Sequence, residues 1–271
     1  MSVSIKKTTS TKPIYINTLS IAAPSMIGLE QAVPVLTGEK QWQTSEFPKL
    51  VPQLLPANER RRITSYIKLA LHVADEANIT DKALPAVFAS SNGDLYITDH
   101  ICKTLNMDAK HISPTHFHNS VHNAPSGYWA IAAKSPAAST SISTGDSSFS
   151  SGLLEAVTQV LSQDEDILFV AYDYPAIEPP LTKFSDVTEA FATAFVLSLN
   201  KSENCYGSIK IDITNDNKVK SSCINESLNE LQSSNPIAES LPLLEALCLN
   251  NTATIILPYL NDSKLKIEVS Q

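Results

Sequence analysis

Cysteine is scarce in this 271-residue chain, and its spacing excludes more than its number does. Cys102, Cys205, Cys223 and Cys248 stand far apart with no CxxC pair, which argues against a zinc ribbon or redox dithiol and for free thiols in a reducing compartment. Only seven glycines occur, and neither a GxGxxG run nor a P-loop is present, so no nucleotide is implied. Basic residues are few: 20 Lys and Arg face 28 Asp and Glu, a net charge of −8. Such a chain is repelled by phosphate backbones unless its cations cluster, so nucleic acid is not an expected partner. No run approaches the ~18 to 20 apolar residues needed to cross a bilayer, and Met1 to Thr11 lack the apolar stretch of a secretory signal. Histidine is absent after His122. These absences lead to the expectation of a soluble, cytoplasmic protein with no cofactor and no membrane partner.

What is present suits one large domain or two intimate halves, with 43% hydrophobic residues to build a core. Ile14 to Ile21 predicts a first strand, and residues 24–56 a long excursion pinned by Trp42 and Phe47. Pro56 opens a helix to about Ala77, with Ile63, Ile67, Ala70, Leu71 and Ala74 on one face. Pro85 to Ser90 predicts a strand, Asp94 to Asn106 a helix, and the stretch through Gly127 and Ile131 another helix. Ala138 to Thr144 reads as a strand of small and β-branched residues, Leu153 to Leu161 as a helix, and Ile167 to Tyr172 as a buried strand. This alternation predicts a layered α/β fold with the sheet between helices. After Pro179-Pro180 the pattern shifts. Ala190 to Leu199 and Ser208 to Ile213 read as adjacent strands, Asn235-Pro236 caps a helix to about Leu249, and Thr252 to Leu257 pairs with Leu265 to Val269.

The most informative segment runs from Ser141 to Ala156 (SISTGDSSFSSGLLEA). A small-residue strand enters Gly145 and a helix follows at once, the layout of an elbow whose turn residue stands at a helix N-terminus. Asp146 at that point is read as a possible N-cap. A helix so rich in Ser and Gly is poor by propensity, which places it where close packing forbids bulk. An ordinary strand-turn-helix with a Ser-rich turn is the plainer alternative.

This run resembles the nucleophile elbow of β-ketoacyl synthases in the thiolase superfamily, where a small-residue strand meets a Cys at the start of a buried helix. The upstream block Ser113 to Ile131 (SPTHFHNSVHNAPSGYWAI) resembles the Pro…Asn-Ala-x-x-Gly helix before that elbow, and Leu55 to Arg62 (LPANERRR) also fits. The Ser-Val-His-Asn-Ala block with the downstream Gly-Leu-Leu-Glu-Ala is most similar to short ketosynthase-like chain-length factors of aryl polyene type II polyketide systems. The likeness covers roughly residues 14–199. It implies a thiolase-like α/β/α layered fold with a truncated second half, a single domain whose ketosynthase-like half spans about 12–199 and whose reduced half spans about 200–271. It also implies a heterodimer with a ketosynthase subunit paired through Thr140, Ser141, Ile142 and Ser143. Transient contact with an acyl carrier protein and a tunnel wall at Ala124 and Ser126 follow from the same resemblance.

Departures from the family pattern bear on activity. Thr144, Gly145, Asp146 and Ser147 form the elbow, with Asp146 where the family has Cys. A carboxylate is a far poorer partner for thioester exchange than a thiolate. The family's two histidines come from the second half of the fold, where this chain has none. The expectation is a chain without condensing chemistry of its own, that is, no catalytic residue. A free-standing binding or scaffold protein for acyl carriers is the alternative. Gly145-Asp146-Ser147 also spells the GDS of certain esterases with Ser147 as nucleophile, but no downstream His completes a triad. His116, His118 and His122 have imidazoles suited to a metal; without a nearby acidic or Cys ligand they read instead as hydrogen-bonded side chains at a helix start, and no metal is expected. Arg60, Arg61 and Arg62 read as a solvated helix face or a dock for an acidic carrier protein.

Overall fold

The computed structural model of the protein describes residues 12–78, 83–108, 111–176, 185, 187–215 and 219–271. The expectations for Met1 to Thr11 and for the shift at Pro179-Pro180 lie outside the described residues. One sheet runs through the molecule. Its strands are β1 (Ile14–Ala23), β2 (Met26–Ile27), β3 (Ala86–Ala89), β4 (Ser139–Ile142), β5 (Ile167–Asp173), β6 (Phe191–Ser198), β7 (Gly207–Thr214), β8 (Ala253–Pro258) and β9 (Lys264–Ser270). Their spatial order is β4-β3-β5-β6-β1-β7-β9-β8, with β2 paired to the end of β1. The β4, β3 and β5 strands are parallel to one another and every other pairing is antiparallel.

Period-two alternation sorts the side chains of the central strands between two cores. On β5, Ile167, Phe169 and Ala171 enter one core while Leu168, Val170 and Tyr172 enter the other. On β6, Phe191, Phe195 and Leu197 face the first, and Ala192, Ala194 and Val196 the second. The first core is closed by α1 (Leu29–Leu36), α7 (Ser148–Gln163), α8 (Leu228–Ser234) and α9 (Leu241–Cys248). The second is closed by α3 (Ser65–Ala77) and α6 (Ala124–Ala133). The result is the expected α/β/α layering. Among the described residues, the second core draws nothing from β7, β8 or β9, so that flank of the sheet is backed by helices on one side only.

Several elements depart from the sequence reading. The helix expected from Pro56 to Ala77 is two: α2 (Ala57–Arg60) stops at once, and α3 restarts after Thr64, whose hydroxyl caps the Ile67 N–H. Arg61 and Arg62 therefore lie in the join and not on a helix face. The strands β6 and β7, expected as neighbours, are separated by β1, which is long enough to pair with both. Helix α1 was hidden by its internal Pro34, and α8 by its short length. The excursion is pinned as expected: the Trp42 indole donates to Pro24 O at 3.0 Å, and Phe47 meets Tyr174 edge-on at 5.9 Å. Two further helices, α4 (Leu95–Leu105) and α5 (Pro114–Asn119), pack together beside α6, and α4 buries only Ile97.

The small residues of α7 have a steric cause. A Cβ on Gly152 would stand 2.6 Å from Ala89 Cβ and 2.8 Å from Phe169 Cε2, so β3 and β5 press against the helix backbone. Gly152→Ala is expected to lower stability by ~1–3 kcal/mol through overpacking. Gly127→Ala, with nothing within 4 Å, should be neutral or slightly stabilising. Urea denaturation of the two variants checks the contrast.

Candidate functional site

The elbow is built where β4 leaves the sheet. Ser143 Oγ donates to Ser91 O at 2.8 Å, tying the end of β4 to the loop after β3. Gly145 then takes φ +59°, a left-handed conformation that explains glycine there. A 3₁₀ turn over Gly145–Ser147 leads straight into α7. The turn is held by Ser148, whose buried hydroxyl accepts from Thr144 N at 2.9 Å and donates to Gly145 O at 2.7 Å. Thr144 Oγ1 reaches Ser151 at 2.9 Å. Asp146 is exposed on the outside of this turn. It is not an N-cap: Thr144 and Ser147 occupy the cap positions, and no side-chain cap hydrogen bond forms at either. Ser148 supplies the bracing that the sequence reading assigned to the carboxylate.

Behind the elbow lies a buried polar seam that sequence reasoning missed. The Asp173 carboxylate, at the end of β5, accepts from Ser90 Oγ at 2.7 Å and from Ser91 N at 3.0 and 3.1 Å. Ser90 in turn accepts from Tyr66 OH at 2.7 Å and Gly93 N at 3.3 Å, so its single O–H and both lone pairs are used. The chain Ser143–Ser91–Asp173–Ser90–Tyr66 thus joins the ends of β4, β3 and β5 to α3. Ligand sites of α/β sheets occur at this end of parallel strands. Burial pushes the Asp173 carboxyl up to about 6, against the lowering effect of its serine and backbone donors. Its signal in the sequence was the one acid closing the apolar run ILFVAYD.

The other expected site residues divide. Strand β4, which carries Thr140, Ser141 and Ile142, is one of the two edge strands of the sheet and, among the described residues, pairs with β3 alone. Gln159 donates to Thr140 Oγ1 at 3.1 Å, and Ser141 Oγ lies 3.2 Å from Ser126 Oγ. Ser126 is therefore buried against β4 and braces it. Ala124 instead lines a cleft of ≈ 470 Å³ with Phe117, Val121 and Ile131. Those three apolar side chains are 67%, 52% and 51% exposed, an unpartnered patch beside the open edge. Arg60 donates to Gln53 at 2.9 Å and Arg62 lies 3.6 Å from Glu59, at the border of the same cleft.

The thiols lie away from the elbow, and of the imidazoles His122 reaches the seam behind it, bonded to the Ser90 backbone and beside Gly93. Cys102 is exposed on α4, and Cys205 lies beside Gly207. Cys223 is buried, its thiol raised by burial and by nearby Glu245 and Glu239. Burial and Glu245 push Cys248 up to about 11, which suppresses the thiolate. His116 meets His100 edge-on at 4.4 Å, His118 meets Tyr128 edge-on at 6.2 Å, and His122 is half-buried with its imidazole pushed down by burial. Among the described residues no three His, Cys, Asp or Glu side chains converge as a metal site. No helix there is long and apolar enough to cross a membrane.

The seam makes stability depend on pH in a definite direction. The folded state holds the Asp173 proton up to about pH 6, whereas an unfolded aspartate releases it near ~3.9. This contribution is fully present below the unfolded value and is lost as pH rises through about 6. Asp94 and Glu245, also raised by burial, add to the same slope. His122, pushed down by burial, contributes the opposite slope, so in denaturant titrations between pH 4 and 7 the stability of the protein should fall with pH relative to that of Asp173→Asn. An unchanged slope would remove Asp173 from the account.

Comparison with known proteins agrees with this geometry. One chain of the ketosynthase (ApeO) in complex with its chain length factor (ApeC) from Xenorhabdus doucetiae superposes with a TM-score of 0.74 at 21% identity, over 95% of this chain and 100% of that one. A chain of the ishigamide ketosynthase/chain length factor superposes at 0.70 with 11% identity, over 95% and 98%. A chain from AntDE:AntF, a type II PKS acyl-carrier protein in complex with its ketosynthase, superposes at 0.67 with 13% identity, over 95% and 98%. At these identities the likeness is one of fold. No curated protein matches the sequence significantly. The family described as "Beta-ketoacyl synthase, N-terminal domain" matches residues 37–257, most of the chain, and the protein belongs to that family.

Proposed function

We propose that this chain is a non-condensing ketosynthase-like subunit, a chain-length factor that pairs with an active ketosynthase and shapes the acyl tunnel of a polyketide system of the aryl polyene kind. The observation that carries the reading is the elbow itself. Its geometry is kept, with Gly145 left-handed and α7 pressed on the sheet, while its turn residue is the exposed Asp146 in place of a thiol. The Ser147 hydrolase reading finds no support, since no histidine hydrogen-bonds Ser147 among the described residues.

In this reading the ketosynthase partner supplies the thiolate and both imidazoles. The open edge of β4 and the following Ser143 face the matching strand of the partner, so that two sheets become one across a pseudo-two-fold axis. An open edge is an aggregation hazard unless covered, and the neighbouring exposed Phe117, Val121 and Ile131 ask for the same cover. An obligate pair of this kind buries more than ~2,000 Å². The residues after about 199 then act as the reduced second half, and Arg60 to Arg62 offer a basic edge to an acidic carrier protein.

The test is covalent. The complex purified after co-expression with its ketosynthase is incubated with acyl-carrier thioesters, and acylated peptides are mapped by mass spectrometry. The acyl group is expected on the partner's cysteine alone. Acylation of Asp146, Ser147 or any cysteine of this chain would overturn the proposal. Asp146→Cys should not confer condensation, because the imidazoles remain absent.

Tunnel shape provides a second measurement. Ala124→Phe, placed in the ≈ 470 Å³ cleft, is expected to shorten products without stopping the first condensation. Unchanged lengths, or equal loss of every product, would count against a ruler role.

A further inference from the structure

Helices α4 and α5 form a unit that the rest of the chain scarcely holds. Of the eleven residues of α4 only Ile97 is buried, and of the six in α5 only Asn119. Asn119 tethers α5 by hydrogen bonds, donating to Arg62 O at 2.8 Å and accepting from Tyr128 OH at 2.9 Å. The two helices meet through rings, His100 edge-on to His116 at 4.4 Å and Tyr96 6.5 Å from the same imidazole. Helices shorter than ~12–15 residues are marginal in water unless an apolar face is packed. Neither helix has packed one.

Apolar side chains are nevertheless present here, in solvent. Leu105, at the end of α4, and Met107 just after it are 48% and 60% exposed. They add to the exposed Phe117, Val121 and Ile131 around the cleft between α5 and α6. On the other flank of β4, the large apolar side chain that α7 leaves exposed is Leu161. The apolar surface beside this edge strand therefore lies on the α6, α5 and α4 side.

Charge and area select what covers it. On α4 Asp99 pairs with Lys103 at 2.6 Å, and α5 carries no Lys, Arg, Asp or Glu. An acidic carrier protein is steered by excess cations, which these helices do not offer. A neutral apolar surface has instead the composition of a subunit interface core. Strand β4 has four residues and spans about 13 Å, which falls far short of the ~2,000 Å² that an obligate pair buries. The remaining area has to come from surface continuous with β4. Ser126 of α6 lies 3.2 Å from Ser141 of β4, His118 of α5 meets Tyr128 of α6, and His116 leads on to α4. We infer that α4 and α5 are a docking unit for the ketosynthase subunit and gain most of their stability on it. The inference rests on the pairing through β4 proposed above.

Hydrogen exchange of the full chain, alone and co-purified with its ketosynthase, tests it. Amides of residues 95–105 and 114–119 should exchange fast in the free chain and ~10-fold or more slowly in the complex, while β5 is protected in both. Leu105→Asp and Met107→Asp, at positions the free fold leaves in solvent, should each weaken the complex about tenfold or more, read by native mass spectrometry on dilution. Val219→Asp, at an 86% exposed position elsewhere, should not. The two variants decide the matter even where the free chain aggregates. Failure to form any complex would overturn the pairing and this inference with it. A complex that protects residues 139–143 but leaves α4 and α5 exchanging as before, with both variants binding normally, keeps the pairing and overturns the docking unit. Protection that rises with the concentration of the chain alone would assign the surface to a second copy. Protection that appears only with carrier protein would assign it to the carrier, and either result overturns the inference.

Discussion

The closeness of α7 to the parallel strands is the constraint on which the rest of this molecule depends. With Ala89 and Phe169 pressed against the backbone at Gly152, the helix cannot carry bulk on its inner face. Ser148, one turn before Gly152, lies on the same face, and a helix rich in Ser and Gly is poor by propensity. It persists through tertiary packing, with Phe149 and Leu153 anchoring it between the small positions. Because the helix is held so near the sheet, the chain has one short turn in which to pass from β4 to α7, and that turn is the elbow. Its shape is therefore a product of packing.

The polar seam has a different role. Three parallel strands end side by side with backbone groups that β-pairing no longer satisfies. Asp173 gathers N–H donors from the loop after β3, and Ser143 gives its hydroxyl to that loop's carbonyl. A carboxylate so buried is stabilised only while its donors stay in place. The seam consequently locks the register of β3, β4 and β5 at the end of the sheet where the elbow stands.

Much of this was legible from the residues, for local reasons. The alternation on the central strands, the small-residue strand into Gly145 and the Trp42 pin each signal themselves within a few positions. Several of the misreadings have a non-local cause. Nothing near Ser208 says that β1, almost two hundred residues earlier, will lie between β6 and β7. Thr64 starts a separate helix as its N-cap, and its hydroxyl also finds Asp94, thirty residues on. Asp146 was read as a possible cap on its position alone, whereas the turn is braced by Ser148 through a hydroxyl that packing has buried. Asp173 was passed over because its partners lie on another strand's loop.

The placement of β1 has a consequence for how the protein comes into being on the ribosome. This strand pairs with β6 and β7 but with neither of its sequence neighbours β3 and β4. At translation speeds of about 5–20 residues per second, the apolar segment IYINTLSIAA waits on the order of ten seconds or longer before its partners emerge. During that interval only its last residues, Ala22 and Ala23, have a partner in the short β2, and the rest of both edges is bare, a state prone to join another chain. The early helices can form locally, but the sheet cannot close until its first strand is captured from both sides. The nascent chain thus exposes a strongly sheet-forming segment for most of its synthesis.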